Sequence, residues 1–182
     1  MWYYMKDSAD SNDSNSYECG KPIETVVSGK AEGHFMIRIM CKDDIEQAAK
    51  IWLDTNLQAH SFISPNYWKD HLKLVKELLL QAQTYIYLDD ISQEMQGFIG
   101  LDAEYIAGIF VCGGSQSHGI GKRLLDYVKR QHTQLSLHVY QKNIRAIKFY
   151  QRENFKIHSE LIDADTGEKE YCMTWTQEKN ES

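Results

Sequence analysis

The stretch Phe110-Val111-Cys112-Gly113-Gly114-Ser115-Gln116-Ser117-His118-Gly119-Ile120-Gly121-Lys122-Arg123 constrains this chain more than any other. Tyr105, Ile106, Ile109, Phe110 and Val111 read as a buried strand leading into it. Ile120, Leu124, Leu125 and Val128 follow at helical spacing. A strand that passes through a glycine-bearing loop into a helix leaves several backbone N–H groups unpaired at the positive end of the helix dipole, an arrangement suited to a phosphate. Gly119 and Gly121 let the backbone approach such an anion with no side chain in the way.

Two nucleotide-binding signatures do not fit. A Walker A loop needs Lys and then Ser or Thr after its second glycine, whereas Gly114 and Gly119 are followed by Ile120 and Gly121. A Rossmann fingerprint needs a third glycine where Leu124 stands. What matches is Gln-x-x-Gly-x-Gly, present as Gln116-Ser117-His118-Gly119-Ile120-Gly121. At a strand–helix junction this pattern resembles the acetyl-CoA pyrophosphate loop of the GNAT acetyltransferases. A second stretch, Leu137-His138-Val139-Tyr140-Gln141-Lys142-Asn143-Ile144-Arg145-Ala146-Ile147-Lys148-Phe149-Tyr150, resembles the next signature of that family, a strand and then Asn-x-x-Ala-x-x-Phe-Tyr. The family closes this signature on Gly-Phe. Here Asn154-Phe155 stands in its place, and Asn is the usual substitute for Gly in the left-handed conformation of a helix end. The resemblance runs from Met36 to Trp175 and is closest to small single-domain bacterial members, the YiaC-like branch. It implies an α+β fold in which a central mixed, twisted sheet of about seven strands is flanked by about four helices. It also implies acetyl transfer from acetyl-CoA, the cosubstrate, to a primary amine.

Composition narrows the setting. With 182 residues, 42% hydrophobic and 25% charged, the chain suits one globular domain with a full core. No apolar run reaches membrane-spanning length and no signal-peptide pattern opens the chain, so no membrane partner is expected. The net charge of −6 argues against nucleic acid as a partner and suits a basic acceptor. Cys19, Cys41, Cys112 and Cys172 form no metal-spaced pair, so no metal is expected, and they read as reduced thiols of a cytoplasmic protein. Monomer and homodimer both remain open.

Residues 1–35 read as a flexible extension or leader, rich in Ser, Asn and Asp between Asp7 and Tyr17. An alternative is that Trp2-Tyr3-Tyr4 docks on the domain or on a neighbouring subunit. The catalytic domain spans 36–178, and 179–182 form a tail. Within the domain Phe35–Met40 is a first strand. Asp43 is placed to cap a helix with Glu46 returning the bond. Ser64-Pro65 opens a second helix. Thr84–Leu88, Gln96–Leu101 and Tyr105–Val111 are strands, with Asp89-Asp90 in the first turn. Strand Leu135–Tyr140, helix Asn143–Arg152 and a hairpin turning near Asp165-Thr166-Gly167 complete the order. Tyr171, Met173 and Trp175 alternate on one face of the last strand.

Acetyl transfer to an amine requires a held thioester, a neutral amine and a stabilised leaving thiolate. The resemblance gives the cosubstrate to Ile109, Phe110 and Val111, whose strand pairs edge-on with the pantetheine arm. The amides of Gln116, Ser117, His118, Gly119, Ile120, Gly121 and Lys122 take the pyrophosphate, and Asn143 bonds the arm. Gly113 stands where the family has Pro, and Ser117 where it has Gly. Tyr150 is placed beside the sulfur. A phenol of pKa about 10 donates its proton to a thiolate of about 8.5 uphill by roughly 2 kcal/mol, so Tyr150 is expected to act by hydrogen-bonding the developing charge.

The general base is less defined. Where many GNAT members carry Glu, counted back from Gln116, this chain has Tyr105, and the neighbouring Glu104 points the other way on a regular strand. His60, in the segment that covers the acceptor in this family, is the second candidate base. His60, Phe62, Tyr105 and His138 are the acceptor-side candidates. A lysine amine of pKa about 10.4 costs roughly 4.6 kcal/mol to deprotonate at pH 7, against about 1 kcal/mol for an α-amine near 7.7. An apolar wall of Phe62, Tyr67, Trp68 and Tyr105 would lower the first cost. Cys112 has no adjacent base, so the amine is expected to attack directly in a ternary complex. A protein lysine, an N-terminal amine and a small amine remain open as acceptors. The alternative, motivated by Gly113, Ser117 and the missing Glu, is a non-catalytic acyl-CoA-binding regulatory module.

Overall fold

A computed structural model describes residues 22–26, 35–89 and 91–178. In chain order the elements are β1 (Pro22–Val26), β2 (Phe35–Ile39), α1 (Ile45–Ala59), α2 (Pro65–Gln81), β3 (Gln83–Asp89), β4 (Met95–Asp102), β5 (Tyr105–Val111), α3 (Ile120–Lys129), β6 (Gln134–Tyr140), α4 (Ile144–Arg152), β7 (Lys156–Ile162) and β8 (Lys169–Thr176). The strands form one sheet in the order β1-β2-β3-β4-β5-β6-β8-β7. Every neighbouring pair is antiparallel except β5 and β6. The expected mixed sheet corresponds to β2 through β8. Strand β1 is an addition that no apolar alternation announced, and it pairs with β2 through Thr25↔Met36 and Val26↔Phe35. The remainder of 1–35, including Trp2-Tyr3-Tyr4, together with Asp90 and the tail 179–182, lies outside the described residues.

Period-two alternation divides the sheet into two faces. Ile37, Tyr87, Ile99, Leu101, Ile106, Leu135, Leu137, Val139 and Met173 form one core with α3 and α4, where Leu124, Leu125, Val128 and Ile147 are buried. Tyr171 and Trp175 pack on that core, as their spacing predicts. Ile86, Leu88, Phe98, Ala107, Phe110 and Tyr140 form the second core, against Ala48, Ala49 and Trp52 of α1 and Trp68, Val75 and Leu79 of α2. His138 and Tyr140 on β6, and Glu170 and Cys172 on β8, therefore belong to the α1/α2 face.

Local chemistry sets the element ends. Ser64 caps α2, its hydroxyl accepting from the Asn66 N–H at 3.3 Å, with Pro65 in the first turn. The start of α1 carries no side-chain cap, and the carboxylate of Asp44 instead closes the short 3₁₀ turn Lys42–Asp44 that precedes the helix. It accepts the Cys41 N–H at 2.7 Å and grips the Arg38 guanidinium at 2.7 and 2.8 Å, while Glu46 turns to Lys76 at 2.7 Å. Asn154 adopts φ 65°, the left-handed helix end expected of it. The reading of four reduced thiols is corrected at Cys41, which is disulfide-bonded, whereas Cys112 and Cys172 are free. Among the described residues no helix is long and apolar enough to cross a membrane.

Candidate active site

The sheet opens in its middle. Strands β5 and β6 are parallel neighbours over Tyr105↔Ser136 and Ile106↔Leu137, and no pairing of Gly108–Val111 with β6 continues that ladder. On the other side β5 stays paired with β4 up to Gly97↔Val111, and the Cys112 N–H reaches the Gln96 carbonyl at 2.9 Å. Because antiparallel pairing alternates, Cys112 and Phe110 turn their backbone groups to β4, so Ile109 and Val111 turn theirs into the gap. An extended polar chain entering the gap meets a strand edge with its donors and acceptors in regular array. This fits the amide-bearing arm of the cosubstrate.

The gap leads to the glycine loop. A 3₁₀ turn at Gly113–Ser115 follows β5, and Gly119 caps α3 with φ 80°. The Arg123 N–H is bonded to the Gly119 carbonyl at 3.0 Å, which leaves the N–H groups of Ile120, Gly121 and Lys122 directed beyond the helix end. Ser117, which replaces the family glycine, takes φ 67°, so the loop keeps the left-handed conformation at a cost of roughly 1–2 kcal/mol. A Cβ on Gly121 would meet Phe149 and Ile109 at 3.6 and 3.8 Å, so α3 sits close on β5 and α4. His118 is exposed, and the Lys122 ammonium is held by Asp126 and Glu153 at 3.0 and 3.1 Å. These two contribute backbone to the loop. A cation that motif reading passed over also stands beside the loop: Arg145 reaches from α4 to the Gln116 Oε1 at 2.6 Å and the Ser117 hydroxyl at 3.2 Å. Gln116 also donates to the Val111 carbonyl at 3.1 Å, tying the loop to the strand end.

On the α1/α2 face a second constellation surrounds His60. Its ring stacks on Trp68 at 5.3 Å and meets Tyr140 and Phe62 edge-on at 5.2 and 5.6 Å. The Asn143 Oδ1 accepts the Ala146 N–H at 3.1 Å as the α4 cap, so its Nδ2 is the atom 3.1 Å from His60 Nε2. An amide nitrogen donates only, so Nε2 accepts and the imidazole proton sits on Nδ1. Burial pushes His60 down to about pKa 4. A group protonated only near pH 4 is a weak acceptor for the proton of an amine, and His60 instead fixes Asn143 in place.

The other candidates separate. Tyr105 packs edge-on against His138 at 5.5 Å, and His138 Nδ1 lies 3.1 Å from Glu170 Oε1. Tyr140 donates to Asp163 at 2.5 Å, and Asp163 closes the β7–β8 turn through the N–H groups of Asp165 and Thr166. Glu104 is brought to none of these groups. It lies in the exposed turn before β5, where its carboxylate accepts from Gln134 at 2.5 Å. Tyr150 is buried in the α3/α4 core beside Phe155, and burial holds its phenol well above the ordinary range, so it keeps its proton. Burial also pushes the Cys112 thiol up, as suits a residue that is not a nucleophile. Glu170, Asp163 and Arg145 were missed in the motif reading. The alternation of Tyr171, Met173 and Trp175 already assigned Glu170 to the opposite face of β8, which was the available signal.

Comparison with known proteins agrees with this geometry. The sequence model of the acetyltransferase (GNAT) domain matches residues 81–157. The chain is 34% identical over 142 residues to the peptidyl-lysine N-acetyltransferase YiaC of Escherichia coli, covering 77% of this chain and 96% of the relative. It is 28% identical to the peptidyl-lysine N-acetyltransferase YjaB of Salmonella typhimurium, covering 70% of this chain and 88% of the relative. The solution structure of apo YjaB from Escherichia coli superposes with a TM-score of 0.71 at 20% identity, covering 79% of this chain and 99% of that one. With the fork, the loop and the Asn143–Tyr150 helix in the arrangement its motifs imply, the chain belongs to the GNAT acetyltransferase family and is an acetyl-CoA-dependent N-acetyltransferase.

Proposed function

We propose that this enzyme acetylates the side-chain amine of lysine in proteins or peptides, by direct attack of the amine in a ternary complex. The observation that carries the reading is the α1/α2 face of the fork. There the aromatic residues Phe62, Tyr67, Trp68, Tyr105 and Tyr140 cluster, and the same face carries two buried carboxylates: Asp163, bonded to Tyr140, and Glu170, beside His138. A long methylene stem with a terminal cation matches apolar walls and a negative end. The names of the curated relatives, both peptidyl-lysine N-acetyltransferases, point the same way.

In this reading the N–H groups at the start of α3, with Arg145 beside them, hold the pyrophosphate of the donor. The backbone of Ile109 and Val111 aligns the arm, and the second Nδ2 hydrogen of Asn143 faces it. Tyr150 keeps its proton and donates a hydrogen bond to the sulfur as it becomes a thiolate. The test is a mass-shift assay with acetyl-CoA and three acceptors: a terminus-blocked peptide with one lysine, a lysine-free peptide with a free N-terminus, and a small polyamine. Acetylation of the lysine peptide well above the other two is expected. Preference for the polyamine or for the free N-terminus refutes the lysine assignment.

A further inference from the structure

Packing does not explain why an imidazole stands at position 60. His60 ends α1, where its N–H bonds the Asn56 carbonyl at 3.0 Å and its carbonyl accepts the Ile63 N–H at 2.9 Å. Its ring is held against Trp68, Phe62 and Tyr140. The tautomer assigned above puts the proton on Nδ1, and that atom is buried with no partner among the described residues. A buried N–H without an acceptor is destabilising, and a phenyl ring would fill the cage without it. The contact that uses the ring is at its other end, where Nε2 stands 3.1 Å from Nδ2 of Asn143, 83 positions along the chain. The other polar groups of Asn143 are assigned. Its N–H bonds the Tyr140 carbonyl at 2.9 Å, its carbonyl accepts the Ile147 N–H at 3.1 Å, and Oδ1 accepts the Ala146 N–H at 3.1 Å. With one Nδ2 hydrogen on His60, a single hydrogen is left for a ligand, and because the amide is planar, holding the first aims the second.

From this geometry we infer that His60 is a positioning residue for donor binding: it holds the Asn143 amide so that the remaining N–H points at a carbonyl oxygen of the cosubstrate's arm. The inference rests on the reading above that Asn143 faces that arm. The cap bond at Oδ1 alone leaves the amide free to pivot about one contact. A second bond at Nδ2, to an acceptor that is itself locked by stacking, removes the pivot before the ligand arrives. The direction of the bond also matters. Because Nε2 accepts, Asn143 can present only a donor, and the matching atom on the ligand is an acceptor. Burial keeps the ring neutral and so preserves the accepting nitrogen. His60 ends α1 and Asn143 opens α4, so one contact ties the α1/α2 layer to the helix beside the donor. In this role His60 touches no substrate and takes no proton.

The test is coenzyme A binding by calorimetry, with circular dichroism as a folding check, in wild type, His60→Leu, His60→Gln, Asn143→Ser and the double variant His60→Leu/Asn143→Ser. Serine keeps the cap of α4 but has no amide, and glutamine restores an accepting oxygen near the place of Nε2. Asn143→Ser and His60→Leu should each weaken binding by about tenfold, and His60→Gln should recover most of that loss. In the Asn143→Ser background His60→Leu should change the affinity by less than about twofold, since no amide remains to be aimed. An equal loss from His60→Leu in both backgrounds indicates a structural role and overturns the inference. Unchanged binding in His60→Leu, or His60→Gln as weak as His60→Leu, overturns it too. Unchanged binding in Asn143→Ser instead refutes the place of Asn143 on the arm. Side-chain nitrogen NMR of the wild-type protein needs no variant: His60 should carry its proton on Nδ1, and the Asn143 amide should shift when coenzyme A saturates the protein. A proton on Nε2 overturns the inference, whereas an unmoved Asn143 amide refutes the reading on which it rests.

Discussion

The buried His60 makes stability depend on pH in a way that can be worked from its surroundings. Only 4% of His60 is exposed, its Nε2 already accepts from Asn143, and Nδ1 has no hydrogen-bond partner among the described residues. Protonation would place a charge in an aromatic cage and set two donors, Nε2–H and Asn143 Nδ2, against each other. Its pKa accordingly falls from 6.5 to about 4, with desolvation as the first cause. The sign follows from linkage. Between these two values the unfolded chain takes up a proton that the folded protein refuses, so stability is fully present above pH 6.5 and is lost as the pH falls toward 4. From pH 7 to pH 4.5 the loss attributable to His60 is about 2 kcal/mol. Urea denaturation of wild type and His60→Gln at both pH values isolates it, because the remaining titrating groups cancel in the difference. The wild type should lose about 2 kcal/mol more than the variant over this interval. An equal loss in the two proteins would show that His60 titrates normally and that the Asn143 contact does not hold it neutral.

Further perturbations test other parts of the site. Tyr150→Phe should lower turnover by about a hundredfold while leaving the KM for acetyl-CoA within about twofold, measured by thiol release, since the hydroxyl acts on the leaving sulfur. Arg145→Ala removes the contacts to Gln116 and Ser117 and should weaken acetyl-CoA binding by about tenfold in calorimetry with little change in Tm, because the side chain is on the surface. Gly97→Ala would set a Cβ 2.7 Å from the Phe110 carbonyl oxygen, a backbone atom that cannot move aside cheaply, and should cost about 2 kcal/mol by urea denaturation.

What was legible in the sequence was what local spacing controls. The turn from β5 through Gln116–Gly121 into α3 and the left-handed Asn154 each depend on a few adjacent residues, and the backbone of both stands as read. The return bond expected of Glu46 is not made, because its carboxylate is drawn to Lys76 on α2, a partner 30 positions away. Glu170 was harder to see. Its neighbour His138 lies 32 positions earlier and meets it only through the β6–β8 register, which single-sequence spacing does not encode. Arg145 was hidden for a similar reason. On its own helix it is one more exposed cation, and only the packing of α4 beside the loop turns it toward Gln116.

The short ladder between β5 and β6 also bears on how the molecule comes apart. Tyr105↔Ser136 and Ile106↔Leu137 are the pairings that join two panels of sheet, one made of β1 to β5 and the other of β6, β8 and β7. Backbone bonding alone leaves these panels hinged, and the side chains of α3 and α4 packed across the seam, Ile120, Leu125 and Ile147 among them, do most of the joining. A ligand lying along the free edge of β5 supplies the missing rung of the ladder and makes the panels unfold as one cooperative unit. By mass action a donor present at a hundred times its Kd adds about 2.7 kcal/mol to the folded state. The lifetime of the enzyme in the cell is thereby coupled to the supply of the compound it consumes.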